Sequence, residues 1–266
     1  MSAPHIPRDP KLLLAIDIGN TNTVIGVYRE AELVEHFRLE SRRGATTDEM
    51  AVLTEQLLRH RGFEPRDLTA AVIASVVPQL TPTFAAVCER ALGRPPLVVG
   101  PGAKTGMAVL VDNPKEVGAD RIVNAIAAFD RYKSACIVVD FGTATTFDVI
   151  NGKGHYMGGV IVPGIGISAD ALFTRAAKLP RVEIVRPASV IGKTTVQAIQ
   201  SGLVFGYVSL VDGLCARLLQ AMGEPARVCA TGGLAPLIGS ESTAIEEVLE
   251  FLTLDGLRLV WLRNAD

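Results

Sequence analysis

The sequence predicts an α/β protein built twice over, two similar halves each made of a mixed sheet flanked by helices. Three observations predict it. First, the apolar run Lys11 to Asp17 leads into Ile18-Gly19-Asn20-Thr21-Asn22-Thr23, and a second run, Ala135 to Asp140, leads into Phe141-Gly142-Thr143-Ala144-Thr145-Thr146. Second, Asp17 aligns with Asp140, Gly19 with Gly142 and Thr23 with Thr146 at one constant offset. Third, each copy continues into two more strand-like stretches and then into helical periodicity, the alternation that mixed sheets with covering helices require.

In order along the chain, residues 1–11 hold three prolines and lack the long apolar core of a signal peptide, so they read as a flexible N-terminal extension. The first half, 12–117, opens with the strand ending at Asp17 and adds strands at Val24–Tyr28 and Leu33–Leu39. Thr46-x-x-Glu49 has the form of a capping box, and Met50, Leu53, Leu57 and Leu58 make one helical face behind it. A buried strand over Ala70–Val76, a helix over Thr81–Leu92 and a strand over Leu97–Val99 follow. The second half, 118–266, starts with a helix after Gly118 whose Ile122, Ala125, Ile126 and Phe129 share a face. Next come the strand ending at Asp140, strands at Phe147–Ile150 and His155–Val162, helices over Ile165–Lys178 and Thr194–Met222, a strand at Ala226–Ala230 and a helix at Leu254–Arg263.

Bulk properties narrow the function. The formal net charge of the 266 residues is −2, which carries no electrostatic footprint for nucleic acid or acidic membranes. Cys88, Cys136, Cys215 and Cys229 form no C-x-x-C pair and sit in apolar stretches, as buried thiols of a reducing compartment do. The four histidines are scattered, so spacing marks no transition-metal cluster. Charges, Gly and Pro interrupt each apolar run before about 18 residues, and a cytoplasmic protein without a membrane segment is the expectation.

The chemistry lies in the paired loops. A Gly after a strand lets backbone N–H groups approach an anion, and Thr and Asn side chains add neutral donors. Asp at the strand end repels phosphate, but it holds a hydrated Mg²⁺ or a monovalent cation that bridges to phosphate oxygens. One D-x-G-x-T turn is an ordinary hairpin turn; two in register within a duplicated chain point to a polyphosphate clamp. A third turn, Ala230-Thr231-Gly232-Gly233-Leu234-Ala235-Pro236, follows a late strand and leaves bare backbone against which a flat base fits. Asp120 and Arg121 fall in the first turn of the helix after Gly118, where the helix dipole favours an ionised carboxylate. On the residues alone these read first as an ordinary helix-start acid and a surface salt bridge. The alternative is an Asp that orients a hydroxyl and accepts its proton, with Arg121 as a fork suited to a carboxylate.

The order DIGNT, DFGTATT, ATGGLAP resembles the two phosphate motifs and the adenosine motif of the acetate/sugar kinase, Hsp70 and actin superfamily, which implies a duplicated ribonuclease H-like/actin-like fold. More narrowly, Asp112–Arg121 (DNPKEVGADR), Gly158–Gly164 (GGVIVPG), Ile191–Thr195 (IGKTT) and Thr253–Leu257 (TLDGL) are similar to segments of type III pantothenate kinases, over nearly the whole chain from Leu12 to Asn264. That resemblance implies ATP-dependent phosphorylation of pantothenate, with Asp120 as general base. It implies ATP contacts from Asp17, Ile18, Gly19, Asn20, Thr21, Asn22, Thr23, Val24 and Thr143, and substrate contacts from Gly118, Ala119, Asp120, Arg121 and Thr195. It also implies Mg²⁺ near Asp17, a monovalent cation (K⁺ or NH₄⁺) at Asp140, and a homodimer in which Thr195 is supplied across the interface.

Two positions depart from the family pattern. Val111 stands where many members have Tyr before the x-N-P segment, and Gly192-Lys193-Thr194-Thr195 replaces the common G-K-N-T. Gly192-Lys193-Thr194 imitates the end of a P-loop, but Pro187 occupies the place of its first Gly. Gly164-x-Gly166-x-x-Ala169 imitates a dinucleotide fingerprint outside a first βαβ unit. A non-catalytic regulator on the same scaffold, or a kinase for another small hydroxy acid, are the competing expectations. Intact Asp17, Asp120 and Asp140 speak for an enzyme.

Overall fold

The computed structural model describes residues 12–176 and 178–265, so the extension expected at 1–11 lies outside the described residues. Among them the strands form two five-stranded sheets. The first runs β3-β2-β1-β4-β5, from β1 (Leu12–Ile18), β2 (Asn22–Arg29), β3 (Glu32–Glu40), β4 (Leu68–Ser75) and β5 (Leu97–Val98). The second runs β8-β7-β6-β9-β10, from β6 (Cys136–Phe141), β7 (Ala144–Ile150), β8 (Tyr156–Pro163), β9 (Arg227–Thr231) and β10 (Glu247–Val248). In each, an antiparallel meander of three strands is extended by two strands parallel to the first. The duplication visible in two motifs thus extends to the whole sheet.

The central strands β1 and β6 are buried on both faces, as near-continuous apolar runs such as Leu12-Leu13-Leu14-Ala15-Ile16 demand. The edge strand β3 (ELVEHFRLE) instead carries charge along its length, which guards an open edge against pairing with another chain. The two-residue β10 was not anticipated: it is too short to stand out as an apolar run. Its flanks hold it in place, through Glu246 N donating to Val228 O (2.9 Å) and Leu249 N to Ala230 O (2.7 Å).

On the first sheet, α1 (Thr47–His60) and α2 (Thr81–Leu92) bury Met50, Leu58, Phe84, Val87 and Cys88 against Leu14, Ile16, Ile25 and Ile73. Thr46 caps α1, its hydroxyl accepting from Glu49 N at 3.3 Å, while the Glu49 carboxylate takes Arg42 at 2.5 Å. Thr46→Ala is expected to lower unfolding stability by about 1 kcal/mol, the usual worth of such a cap, read as a shifted denaturant midpoint at unchanged slope. The second sheet is covered by α4 (Ile165–Arg175), α5 (Thr195–Met222) and α6 (Ala235–Gly239), whose Ile165, Val204, Val211, Cys215 and Ile238 meet Ile137, Val139, Phe141 and Phe147. Helix α4 ends at Arg175 rather than Lys178, because Ala176 leaves helical backbone.

Helix α5 is long and apolar enough to cross a membrane by length and composition alone, although Gly202, Gly206, Asp212 and Gly213 interrupt its apolar residues. It is tied into its unit by polar contacts along its length, with Ser201 Oγ donating to Val190 O at 2.6 Å and Tyr207 Oη to Pro163 O at 2.9 Å. Farther on, Asp212 accepts from Ser242, Thr243 and Ala244. Burial would raise the Asp212 carboxyl, but these donors outweigh it and hold the group below the usual range.

Packing divides the chain elsewhere than at 117/118. The unit built on the first sheet takes in the described residues up to Met107, then Asn113–Ala127, and those from Thr253 on; the other comprises Ala108–Asp112 and Ala128–Leu252. The start of α3 (Ala119–Tyr132) and nearly all of α7 (Leu252–Asn264) therefore belong with the first sheet. The physical reason is side-chain docking: Asp255 accepts from the buried Tyr28 hydroxyl at 2.7 Å, and Leu254 closes over Gly26.

Candidate active site

In the first unit, the Asp17 turn sits where β1 ends. Asp17 stands opposite Val24 on β2 and Ala74 on β4, and Ile18 opposite Thr23 and Ser75. Gly19 N donates to Asn22 O at 3.0 Å, and a Cβ on Gly19 would lie 2.9 Å from that same oxygen, so only Gly closes the turn this way. Asn20 and Thr21 are exposed at the tip, with Thr21 O accepting from Ser41 N at 2.9 Å. Ile18 and Thr23 point inward instead. Both are fully buried, and the Thr23 hydroxyl is spent on Ser41 at 2.9 Å, which leaves these two only backbone to offer a ligand.

The Gly118-Ala119-Asp120-Arg121 run opens α3 at the same end of the first sheet. Val76 joins the two segments: its N–H donates to Ile18 O at 3.0 Å, and its methyl lies 3.4 Å from where a Gly118 Cβ would be. The carboxylate of Asp120 folds back over Gly118, with Oδ1 2.5 Å from that same Cβ position and accepting from Arg121 N at 2.7 Å. Any side chain at 118 would displace it. The structure adds a second influence on Asp120 to the helix dipole. Desolvation by surrounding protein raises its pKa above the ordinary value, and the N–H and charge of Arg121 offset this only in part. The helix-dipole argument had considered neither burial nor the neighbours brought by the fold. A raised pKa makes the carboxylate a stronger proton acceptor once ionised.

The second unit assembles its own turns. Asp140 stands opposite Thr146 on β7 and Thr231 on β9. Gly142 N donates to Ala144 O at 3.1 Å. This hairpin is one residue tighter than the first, because Asp17 pairs with the residue seven positions on and Asp140 with the residue six on. The constant offset therefore fails after the turn. Thr145, fully buried opposite Phe141, is the counterpart of Thr23, and the Thr23–Thr146 alignment is corrected accordingly. Gly232, at φ 94°, lies against the Asp140 carboxylate and the Phe141 backbone, and Gly164 crowds the carbonyls of Thr143 and Gly142. The Asp140 hairpin, Pro-Gly and Gly-Gly segments of this unit thus meet at one end of its sheet, with Thr143 exposed among them.

One residue here escaped the sequence reading. Asp148 is fully buried on β7, accepting from Tyr156 Oη at 2.7 Å and from Thr146 Oγ1 at 3.5 Å, on the same sheet face as Asp140. A lone acid inside the apolar run Phe147–Ile150 was the available signal. Thr195 is not drawn into this cluster: it is exposed at the first position of α5, and its side chain makes no hydrogen bond among the described residues. Thr194 caps the helix, accepting from Gln197 N at 3.2 Å. Asn and Thr both serve as caps, which explains why the G-K-N-T to G-K-T-T change is mild. Val111 packs against Gly158 of β8, where a Cβ would lie 3.5 Å from its methyl.

Oxygen donors alone characterise these turns. Asp140 is flanked by Thr146, Thr231 and backbone carbonyls, a set suited to a hard monovalent cation, and Asp17 offers the single carboxylate that suffices for Mg²⁺ held mainly by water and phosphate. Among the described residues no His, Cys, Asp and Glu cluster could hold a metal by itself. Burial pushes the thiols of Cys88, Cys215 and Cys229 up to about 12, so they are poor ligands and nucleophiles.

Two matching sheets, each with an Asp–Gly–Thr hairpin at the carboxyl end of its central strand, define a duplicated actin-like α/β protein. Solved structures share the fold: a conserved protein assigned to the Baf family of transcriptional activators from Campylobacter jejuni (TM-score 0.58, 18% identity, 94% of this chain and 98% of that one) and the ethanolamine utilization protein EutJ from Carboxydothermus hydrogenoformans (TM-score 0.57, 16% identity, 98% and 91%). The chain belongs to the type III pantothenate kinase family, whose model matches residues 13–217. Relatives of that description include those of Myxococcus xanthus, 55% identical over 95% of this chain and 99% of the relative, and of Anaeromyxobacter dehalogenans strain 2CP-C, 57% identical over 95% and 100%.

Proposed function

We propose that the protein transfers the γ-phosphoryl group of ATP to the primary hydroxyl of pantothenate, forming 4′-phosphopantothenate in the first step of coenzyme A biosynthesis. The observation that carries the reading is the seating of Asp120 over Gly118, at the sheet end where the Asp17 turn also lies. As the hydroxyl oxygen bonds to phosphorus and the bond to ADP breaks, Asp120 accepts the hydroxyl proton. Exposed Asn20 and Thr21, with Gly19, Asn22 and the backbone of Ile18, Thr23 and Val24, contact ATP phosphates, as does Thr143. Gly118, Ala119 and Arg121 contact pantothenate, the guanidinium binding its carboxylate. Asp17 holds Mg²⁺ and Asp140 holds K⁺ or NH₄⁺; the cations neutralise charge on the phosphates during transfer.

Thr195 completes the substrate site from a second copy in a homodimer. Supporting this, Val190, Ile191 and Val196 are exposed around Thr195, Ile161 is exposed on the edge strand β8, and only 22% of the most apolar stretch of α5 is buried. Four buried thiols suit a reducing cytoplasm. The test is ADP release from ATP with and without pantothenate, in K⁺ and in Na⁺. Pantothenate-dependent turnover stimulated by K⁺ is expected. No turnover in either buffer with ATP still bound would point to a regulator, and turnover only with another hydroxy acid would replace the substrate.

A further inference from the structure

The TLDGL segment, Thr253–Leu257, has no part in the chemistry above, yet it makes the tightest backbone approach in its unit. Gly256 presses directly on Val123 of α3: a Cβ there would collide with the Val123 carbonyl oxygen and come within 2.6 Å of its carbon. Thr253 Oγ1 donates to Oδ1 of Asn124, a fully buried residue, at 2.7 Å. Asn124 lies four residues, one helical turn, after Asp120 and stacks on the same helix face. On its other side α7 grips β2, through Tyr28 Oη donating to Asp255 at 2.7 Å and Leu254 closing over Gly26. Strand β2 is the return arm of the Asp17 hairpin.

We infer that Thr253, Asp255 and Gly256 form a brace that sets the position of Asp120 relative to the Asp17 turn, making Thr253 a positioning residue for phosphoryl transfer. The inference rests on Asp120 being the base. Phosphoryl transfer depends on in-line placement, and a displacement of about 1 Å can cost on the order of 100-fold in rate. A brace joining α3 to β2 acts on that placement and leaves the exposed phosphate-binding tip of the hairpin untouched.

The test is steady-state kinetics of the full chain with Thr253→Val, Thr253→Ser, Tyr28→Phe and Asp120→Asn. Thr253→Val is expected to lower kcat at least about tenfold per folded molecule with KM for ATP nearly unchanged, and Thr253→Ser to restore it. Tyr28→Phe, which cuts the other arm, is expected to lower kcat likewise, and the double variant to lose less than the product of the two losses. Equal kcat in Thr253→Val and the parent, or failure of Ser to rescue, overturns the brace. If Asp120→Asn keeps full turnover while Thr253→Val does not, the base reading fails and the brace as stated falls with it. If Asp120→Asn is inactive and Thr253→Val is not, the brace alone fails.

Discussion

Asp120→Asn is expected to cut pantothenate-dependent turnover by about 100- to 10,000-fold, the usual worth of a positioned base, while ATP binding is retained. Asn keeps the size of the side chain and its acceptor for the Arg121 N–H, a contact of 2.7 Å in the native structure, so the helix start should survive. What disappears is the capacity to take a proton. The pH dependence carries the sign of the burial shift. A base must be deprotonated, so native turnover falls as pH drops through the Asp120 pKa, and desolvation places that limb above the ordinary carboxylate range. Single-turnover measurements across pH should show this acid limb in the native protein and none in the variant. Native-like turnover in the variant would remove Asp120 from the chemistry.

Gly232→Ala is expected to add backbone strain and a collision at once in the second unit. The residue sits at φ 94°, where an L side chain is strained, and the new Cβ would lie 2.6 Å from an Asp140 carboxylate oxygen and 2.7 Å from the Phe141 backbone. Strain and overpacking together should cost about 2–6 kcal/mol, since each mechanism alone costs about 1–3. The collision falls on the proposed cation ligand, so ATP affinity should drop beyond the loss of folded protein. Gly62→Ala isolates the strain, because Gly62 has φ 81° but open space around it. It should lose only about 1 kcal/mol and no ATP affinity. Denaturation midpoints and nucleotide titration of both variants check the contrast, and equal effects would place the damage in backbone strain alone.

What could be read from the residues followed how local the responsible forces are. The strands of the two meanders and helix α2 were legible because apolar period and turn chemistry are local, and Thr81–Leu92 is recovered to the residue. The repeat was legible because both hairpins begin with the same Asp-x-Gly. The tighter second hairpin was not, since it is decided by which backbone groups pair across the strands, and that moved the counterpart of Thr23 to Thr145. The same limit hid the inward turn of Ile18 and Thr23, the burial of Asp148 and the desolvation of Asp120. Each depends on neighbours distant in the chain. The allegiance of α7 to the first sheet, resting on pairs such as Tyr28 and Asp255, was out of reach for the same reason.

That allegiance bears on how the molecule is made. The residues that finish the first unit, from Thr253 on, are synthesised more than a hundred positions after the strands and helix start they cover. While the ribosome is still translating the second unit, Leu254 and Leu257 have not arrived, and the core around Gly26 and Val123 stays open to water. The first unit to leave the ribosome is therefore not the first able to close, and the nascent chain carries an unfinished apolar surface while the second unit is made. The segment holding Asp120 becomes whole only when the rest of the protein is nearly complete.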